Sequence, residues 1–273
     1  MTTTDLLYAA AVPVFFALMA LEAIVARRRG LRVFRRADTI ANLLMGLGNR
    51  VLEAGWVLVE VAALGWLHQR SPFDLGTGWA AWAVALIGVD FAYYWYHRLH
   101  HEVRVLWASH VVHHSSKEYN LAVALRQPWL VATSLPFYAP LALLGVRVEL
   151  IAISYAVNLF YQFWIHTQLV DRLPGWFEAA FNTPSHHRVH HGRNPEYLDR
   201  NYAGILIVWD RLFGSFEPEV APVIFGLTKD ITTHNPFRIA THELAGIWRD
   251  VRASESWRHR VARIVRGPGW QPA

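Results

Sequence analysis

The chain has 273 residues, of which 53% are hydrophobic and only 17% charged, with 13 tryptophans and no cysteine. The lack of cysteine excludes disulfides, iron–sulfur clusters and a thiolate-ligated haem. A positive mean hydropathy over this length points to a chain embedded in a membrane. The formal net charge is +5. No groove-reading or single-strand-binding motif accompanies the basic residues, so no nucleic-acid partner is expected.

Two apolar segments open the chain. Residues 6–26 are almost uncharged and long enough to cross a membrane, which predicts a transmembrane helix. A cleaved signal peptide is the alternative, but its positive charges would precede the apolar core, whereas the arginines here follow it at residues 27–36. Such arginine clusters normally stay in the cytoplasm, so the N-terminus is expected outside. In the second segment, residues 39–67, Arg50 and Glu53 can pair inside a helix bundle, or Arg50 can reach the membrane interface.

Three more apolar segments follow, at residues 79–96, 128–146 and 150–165. With the N-terminus outside, the first and last of these run inward and end in His97 and His166. The chain after them then also lies in the cytoplasm. The expected fold class is all-α, an integral-membrane helical bundle. About five membrane-embedded helices are expected, with a cytoplasmic helical cap that holds a histidine-rich dimetal site.

The whole chain is expected to form a single membrane-embedded domain in three parts. Residues 1–78 are the N-terminal membrane helices, residues 79–216 the histidine-rich catalytic core, and residues 217–273 a cytoplasmic amphipathic segment. In the last part, residues 236–267 interleave arginines with apolar and aromatic residues. That pattern favours binding to an anionic inner leaflet.

The most compact histidine cluster places His187, His190 and His191 at positions i, i+3 and i+4, which share one face of a helix. The Thr-Pro pair at 183–184 and Gly192 predict where this short helix begins and ends. Two earlier clusters have the same character, and their members are His97, His101, His110, His113 and His114.

A single histidine on an apolar face is usually a packed structural residue, but three clusters with this spacing are typical of a metal site. Eight or nine candidate ligands exceed the roughly four to six that one ion accepts, so two ions are expected. The isolated histidines are expected to be structural or surface residues, namely His68, His234, His242 and His259.

Asp90 lies seven residues before His97, two turns back on the same helix face. Metal-bound imidazoles commonly donate their second N–H to a carboxylate, so Asp90 is a candidate partner for the histidines. The alternative is a buried partner for Arg98 or Tyr94.

The three clusters, with the flanking sequence from residue 90, resemble the fatty acid hydroxylase and sterol desaturase superfamily of integral-membrane di-iron oxygenases. Residues 119–127, 161–167, 182–194 and 201–216 are similar to the alkylglycerol monooxygenase branch of that superfamily. The resemblance covers about residues 85–250. The order and spacing of the clusters are specific for the superfamily and less specific for the substrate.

The resemblance implies nine histidine ligands, with His186 as a further candidate and His100 as a weaker one. The nine are His97, His101, His110, His113, His114, His166, His187, His190 and His191. Four polar residues are candidates for contacts with these ligands, with helix caps and surface salt bridges as the alternative. They are Glu102, Asp199, Asn201 and Asp210.

The implied cofactors are two iron ions, which zinc can replace. The implied co-reactants are O₂ and an electron donor, either tetrahydrobiopterin or a redox partner protein. The implied function is hydroxylation of a C–H bond in a membrane lipid chain, with ether lipids as the first candidate. Hydroxylation or desaturation of fatty acids, sterols or carotenoids is the alternative. A metal transporter or sensor predicts histidines spread across the membrane depth, whereas here they cluster at one end. The oligomeric state is left open.

Overall fold

The computed structural model describes residues 3–272, with side chains described from residue 12 onward. The first side chains of the predicted 6–26 segment lie outside that set. In the described part, eleven α-helices and one 3-10 helix (Leu121–Leu125) form an all-helical fold with no β-strand. The α-helices are α1 (Thr3–Arg28), α2 (Arg36–His68), α3 (Trp79–Glu102), α4 (Arg104–His114), α5 (Leu135–Leu143), α6 (Val148–Trp164), α7 (Gly175–Ala180), α8 (Pro184–His190), α9 (Val208–Phe213), α10 (Pro236–Ala253) and α11 (Trp257–Val265).

Helix α3 is central because it presents a stripe of small residues to its neighbours. Ala81, Ala85, Val89 and Ala92 recur at helical spacing and are buried in one core cluster with residues of α2, α5 and α6. A Cβ at Gly88 would come within 2.7 Å of a Leu141 methyl group, so a larger residue at this position would force the Leu141 side chain of α5 to move. Close packing along this stripe fixes the end of α3, where its histidines lie.

Among the described residues, α2 is the one helix that is long and apolar enough to cross a membrane. Only 6% of the most apolar 18-residue stretch of α2 is buried within the protein. Leu47, Val51 and Leu58 are each more than 60% exposed, as a lipid-facing surface requires. The predicted pairing of Arg50 with Glu53 is confirmed by an ion pair between their side chains, but the Arg50 side chain is 48% exposed and so does not lie inside a helix bundle.

The polar residues of α2 face the protein. Asp38 and Asn42 accept hydrogen bonds from the guanidinium of Arg126, which is only 1% exposed. Asn49 donates to the carbonyl of Pro128 at 2.7 Å. These bonds tie the first half of α2 to the segment that follows α4.

The prediction of five membrane-embedded helices is not confirmed, since the segment at 128–146 contains only the nine-residue helix α5. A helix of that length spans about 14 Å, whereas the apolar core of a bilayer is about 30 Å thick. Pro136 lies in the first turn of α5 and Pro140 lies inside it. Proline removes a backbone donor and restricts the residue before it, which explains the short helix.

The C-terminal part folds back onto the histidine-bearing core. Arg104, at the start of α4, binds Glu243 at 2.7 Å and Asp250 at 2.6 Å, both on α10. Its backbone N–H donates to the carbonyl of Arg266, just after α11. Buried Ile239 of α10 packs in a cluster with Ala41 and Met45 of α2. Residues 236–272, here called the C-terminal cap, therefore cover one side of the core.

Candidate metal centre

Four helices bring the nine clustered histidines together. Helix α3 ends with the first cluster, and α4 begins after a single non-helical residue, Val103. That bend turns α4 so that its histidines face those of α3. Helix α8 begins at Pro184 as predicted, and His191 and Gly192 follow its last residue. His166 lies two residues beyond the end of α6 and completes the set.

The nine side chains are buried and divide into two groups. In each group the potential ligand nitrogens all lie within 4.8 Å of one another. The five-histidine group contains His97, His101, His110, His114 and His190, and the four-histidine group contains His113, His166, His187 and His191.

The spacing of the ring nitrogens fits metal coordination. The Nε2 atoms of His97 and His114 lie 2.8 and 3.0 Å from Nε2 of His110. In the other group, Nε2 of His166 lies 3.1 Å from that of His113 and 3.0 Å from that of His187. Around an ion with metal–nitrogen bonds of about 2.1 Å, ligand nitrogens at right angles lie about 3.0 Å apart. Both groups therefore fit a bound transition metal.

Several of these ring nitrogens make no hydrogen bond in the described structure. The Nε2 atoms of His101, His190 and His191 are buried without a hydrogen-bond partner in the described structure. A buried polar atom without a partner costs about 1–3 kcal/mol, so native proteins rarely leave several side by side. One metal ion in each group would satisfy all three nitrogens.

Backbone carbonyls hold the second nitrogen of four rings. The Nδ1–H groups of His97 and His190 donate to the carbonyls of Tyr202 and Arg200, at 2.7 and 3.0 Å. Nδ1–H of His166 donates to the carbonyl of Gln162 at 2.7 Å. Nδ1 of His113 lies 3.4 Å from the carbonyl oxygen of Arg126. These contacts select the tautomer that leaves Nε2 free as a ligand atom.

Burial favours the neutral form, which is the form that binds metal, for eight of the nine histidines, all except His101. Desolvation lowers the pKa of His110, His114 and His190 well below the usual value, and neighbouring imidazoles lower it further. The pKa of His166 is lowered to about 4 by the same desolvation. Neutral imidazoles with free Nε2 atoms are therefore present at physiological pH.

A loop at residues 199–203 supplies two of the carbonyls, and predicted polar residues stabilise it. Asn201, buried with a φ of 55°, donates to the carbonyls of His186 and Glu217. The carboxylate of Asp210 accepts the backbone N–H groups of Tyr202 and Ala203, each at 2.8 Å. Asn201 and Asp210 therefore contact the backbone that orients the histidines, not the rings themselves.

Asp199 lies beside a histidine directly, since its carboxylate is 3.7 Å from Nδ1 of His101. Glu102 forms an ion pair with Arg98 at 2.8 Å and is absent from both histidine groups. For Glu102, the alternative of a surface salt bridge is therefore the one observed.

The prediction that Asp90 accepts an imidazole N–H is wrong, because none of the hydrogen bonds described for its carboxylate comes from a histidine. Its carboxylate accepts from Asn158, from the backbone N–H groups of Ile205 and Leu206, and from the indole of Trp209. Neither Arg98 nor Tyr94 is among these donors. Asp90 instead ties α3 to α6 and to the start of α9.

Two histidines of the same motifs fall outside both groups. His100 uses both nitrogens, towards the carbonyl of Tyr96 and the hydroxyl of Thr133. His186, the tenth candidate ligand, packs its ring on Phe216 with centroids 5.4 Å apart. The carbonyl acceptors and the contact of Trp107 with His101 were not predicted, because nothing in the sequence marks which loop carbonyl meets a ring.

Comparison with known proteins identifies a family for the part of the chain that contains the histidine groups. Residues 82–215 match the model of the fatty acid hydroxylase family. These residues therefore form a fatty acid hydroxylase domain, and it contains all nine clustered histidines. The resemblance to this superfamily is thereby confirmed. The family and the apolar helix α2 together point to a membrane protein.

Among curated proteins, the chain is similar to alkylglycerol monooxygenase. It is 42% identical to the Homo sapiens enzyme over 269 residues, which covers 96% of this chain and 59% of that protein. The Danio rerio enzyme is 44% identical over 239 residues, covering 86% of this chain and 53% of the relative. The chain thus spans little more than half the length of these relatives.

The name of a relative with lower identity also refers to a lipid substrate. An ornithine lipid hydroxylase from Rhizobium tropici is 29% identical over 158 residues, covering 53% of this chain and 45% of that protein. No solved structure matches the chain significantly. The family that matches and the relatives named here are hydroxylases or monooxygenases by name.

Proposed function

We propose that the chain is a membrane-bound di-iron monooxygenase that hydroxylates a C–H bond of a lipid chain with O₂. The observation that carries the proposal is the convergence of nine buried imidazoles into groups of five and four inside a fatty acid hydroxylase domain. The nine histidines would hold two ions, one per group. All-nitrogen sites of this kind suit iron, and zinc can occupy them.

The bound metals would supply the activation of O₂, and the protein residues would position the reactants. The buried rings and their carbonyl partners hold the ligand nitrogens in place before a metal binds, which lowers the cost of ordering the site. Burial of all nine side chains also limits their contact with bulk water.

Ether lipids are the proposed substrate class and a tetrahydropterin the proposed electron donor. This proposal is supported by the similarity to alkylglycerol monooxygenases over 96% of the chain for the human relative. A fatty acid, sterol or carotenoid substrate, or a redox partner protein, is the alternative within the same family.

The test is turnover by purified protein loaded with iron. Long-chain alkylglycerol with tetrahydropterin should support O₂ consumption and yield oxidised lipid by mass spectrometry. Turnover with fatty acid or sterol alone, or with a protein donor alone, would reject the ether-lipid assignment and keep the oxygenase assignment. Absence of any bound transition metal after reconstitution would reject both.

For orientation, we propose that the histidine groups and the C-terminus face the cytoplasm. The chain contains no cysteine, so a single introduced cysteine reports its own position. Glu255→Cys, in the exposed turn between α10 and α11, should react with a membrane-impermeant thiol reagent only from the cytoplasmic side. Trp79→Cys, at the opposite end of α3, should react only from outside. The reverse pattern would overturn the orientation.

A further inference from the structure

Helix α10 of the C-terminal cap separates its charges between two faces. Its two acids, Glu243 and Asp250, both bind Arg104 of α4, at 2.7 and 2.6 Å. At about 100° per residue they lie about 20° apart around the helix, on the side opposite Phe237. Helix α10 contains no other acid. Both of its negative charges are therefore neutralised within the protein.

The outer face of α10 is apolar along its middle. Phe237, Leu244 and Trp248 lie within about 40° of one another around the helix, and they are 71%, 38% and 63% exposed. Large apolar side chains in one exposed row are typical of an interaction site.

Two arginines border this apolar row on one side. Arg238 and Arg252 are exposed and lie at about 100° and 60° from Phe237 around the helix. The guanidinium carbon of Arg252 lies 5.8 Å from the ring centre of Trp248, so the positive charge is placed beside the aromatic residue. The outer face is therefore apolar and basic and carries no acid of α10.

The outer face begins beside α2. Ile239, two residues after Phe237, packs in one cluster with Ala41 and Met45 of α2. The ring of Phe237 meets that of Trp129 edge to face, with centroids 5.1 Å apart, and the indole of Trp129 donates to the carbonyl of Met45 at 3.0 Å. These contacts fix the first turn of α10 against the first half of α2.

At this level α2 faces lipid. Ile40, Leu44 and Leu47 lie on the turns around Met45 and are 45%, 43% and 63% exposed. Arg36, one turn before Ile40, is exposed and charged, as expected where the apolar part of a bilayer meets the headgroups. The first turn of α10 therefore lies at the boundary between the apolar part of the membrane and the headgroups.

Acidic phospholipids match both parts of the outer face. Aromatic side chains favour the boundary between headgroups and acyl chains. Arginines near an anionic lipid surface are attracted by its negative potential and bind phosphate groups. A neutral bilayer would cover the apolar row but would offer no net negative charge to the arginines.

We propose that the outer face of α10 docks on acidic phospholipids of the leaflet that borders the first half of α2. Phe237 and Trp248 insert between the headgroups, and Arg238 and Arg252 bind lipid phosphates. Docking holds α10 from one side while Arg104 holds it from the other, so the acidic lipids fix the cap over the histidine groups. The inference concerns lipids that are not substrates and does not depend on the reaction.

A fluorescent label on the outer face tests the proposal. The chain contains no cysteine, so Thr241→Cys, at an exposed position between Phe237 and Trp248, gives a single labelling site. The labelled chain is placed in nanodiscs of acidic phosphatidylglycerol and neutral phosphatidylcholine, one of which carries a quencher on its chain next to the headgroup. Leu58→Cys, at a position 72% exposed on α2, is the control for contact with lipid in general.

The acidic quencher lipid should quench the label at Thr241→Cys about fivefold more strongly than the neutral one, since one arginine near an anionic surface contributes about that factor. The two quencher lipids should act alike on the label at Leu58→Cys. Added salt should reduce the preference at Thr241→Cys, because it screens the charges.

Charge variants separate lipid binding from a structural role. Arg238→Gln combined with Arg252→Gln should make the two quencher lipids equivalent, whereas Arg238→Lys combined with Arg252→Lys should keep the preference. Arg249→Gln is the matched control on the same helix, because a terminal nitrogen of Arg249 lies 4.0 Å from the Cβ position of buried Gly246 and so turns inward. This control should leave the preference unchanged.

Equal quenching by both lipids at Thr241→Cys would overturn the proposal, because docking would then not depend on charge. Absence of quenching by either lipid, with normal quenching at Leu58→Cys, would also overturn it and would leave the outer face to another occupant, such as an acidic protein surface. Loss of the preference in the lysine variant would likewise overturn it, since the arginines would then act through the fold. None of these readouts depends on turnover.

Discussion

Two pairs of adjacent histidines show how the fold separates candidate ligands from structural residues. His100 and His101 lie next to each other on α3, as His186 and His187 do on α8. All four are buried, yet only His101 and His187 belong to the histidine groups. Successive helical residues point about 100° apart, so one member of each pair faces the neighbouring histidines and the other faces away.

The second ring nitrogen refines the comparison. His100 has both nitrogens hydrogen-bonded, so neither is free for a metal. His101 keeps Nε2 without a partner and has its Nδ1 near Asp199. His186 also has a nitrogen without a partner, but its ring packs on Phe216 and lies outside both groups. A ligand position therefore requires both the helix face and a free nitrogen.

The largest effect is expected from removing one ring of each group. His187→Ala and His190→Ala each delete a nitrogen that no neighbouring side chain can replace. Each variant should lose bound metal and all measurable turnover. His259→Ala, on α11, is the control and should retain both. Metal-to-protein ratios by elemental analysis provide the measurement, and full metal content in both variants would mean that the two groups are not metal sites.

A smaller loss is expected when the carbonyl support is removed. Asp210→Ala releases the backbone of Tyr202 and Ala203, and with it the carbonyl that binds His97. Loss of such indirect support typically costs about 10–100-fold in metal affinity. Competition with a chelator measures this change, and Glu255→Ala in the exposed turn is the control. Equal affinities would show that the loop does not hold the ring.

The sequence predicted which histidines would meet because spacing along a helix determines which face they share. His97 and His101, one turn apart, had to point the same way, and the structure places them in one group. The short helix with His187 also began where proline allowed it to begin. These features depend on local geometry, which a sequence contains.

The partners of Asp90 depend on tertiary packing, and for that reason the prediction failed. The position of Asp90 two turns before His97 on α3 was correct. The loop before α9, however, supplies two backbone N–H groups that bind the carboxylate of Asp90. Likewise, the amphipathic pattern of residues 236–267 indicated a surface helix. It did not indicate that Arg104 would bind α10 and hold the cap against the metal centre.

The buried carboxyl of Asp210 should make the free energy of unfolding depend on pH. Burial raises the pKa of its carboxyl to about 6, above the unfolded value. Folding then favours the protonated form, so its contribution to the free energy of unfolding is complete below about pH 4 and is lost as the pH rises to about 6. The difference between this pKa and the unfolded value corresponds to about 3 kcal/mol.

Chemical denaturation in detergent at pH 4 and pH 7 measures this effect as the difference between wild type and Asp210→Asn, which cannot titrate. The wild type should lose more stability than the variant over this interval. Identical pH profiles would show that the carboxyl is ionised in the folded protein at both values.

The smallest effect on the metal centre is expected from the excluded member of each pair. Gln at position 100 can retain a hydrogen bond to Thr133, and Gln at position 186 loses the ring contact with Phe216. His100→Gln and His186→Gln should therefore lower the melting temperature slightly and leave the metal content at the wild-type value. His101→Gln and His187→Gln, one residue away in each case, should lose metal. If His186→Gln lost metal as fully as His187→Gln, a tenth ligand would be required, and the helix face would no longer decide which histidines bind.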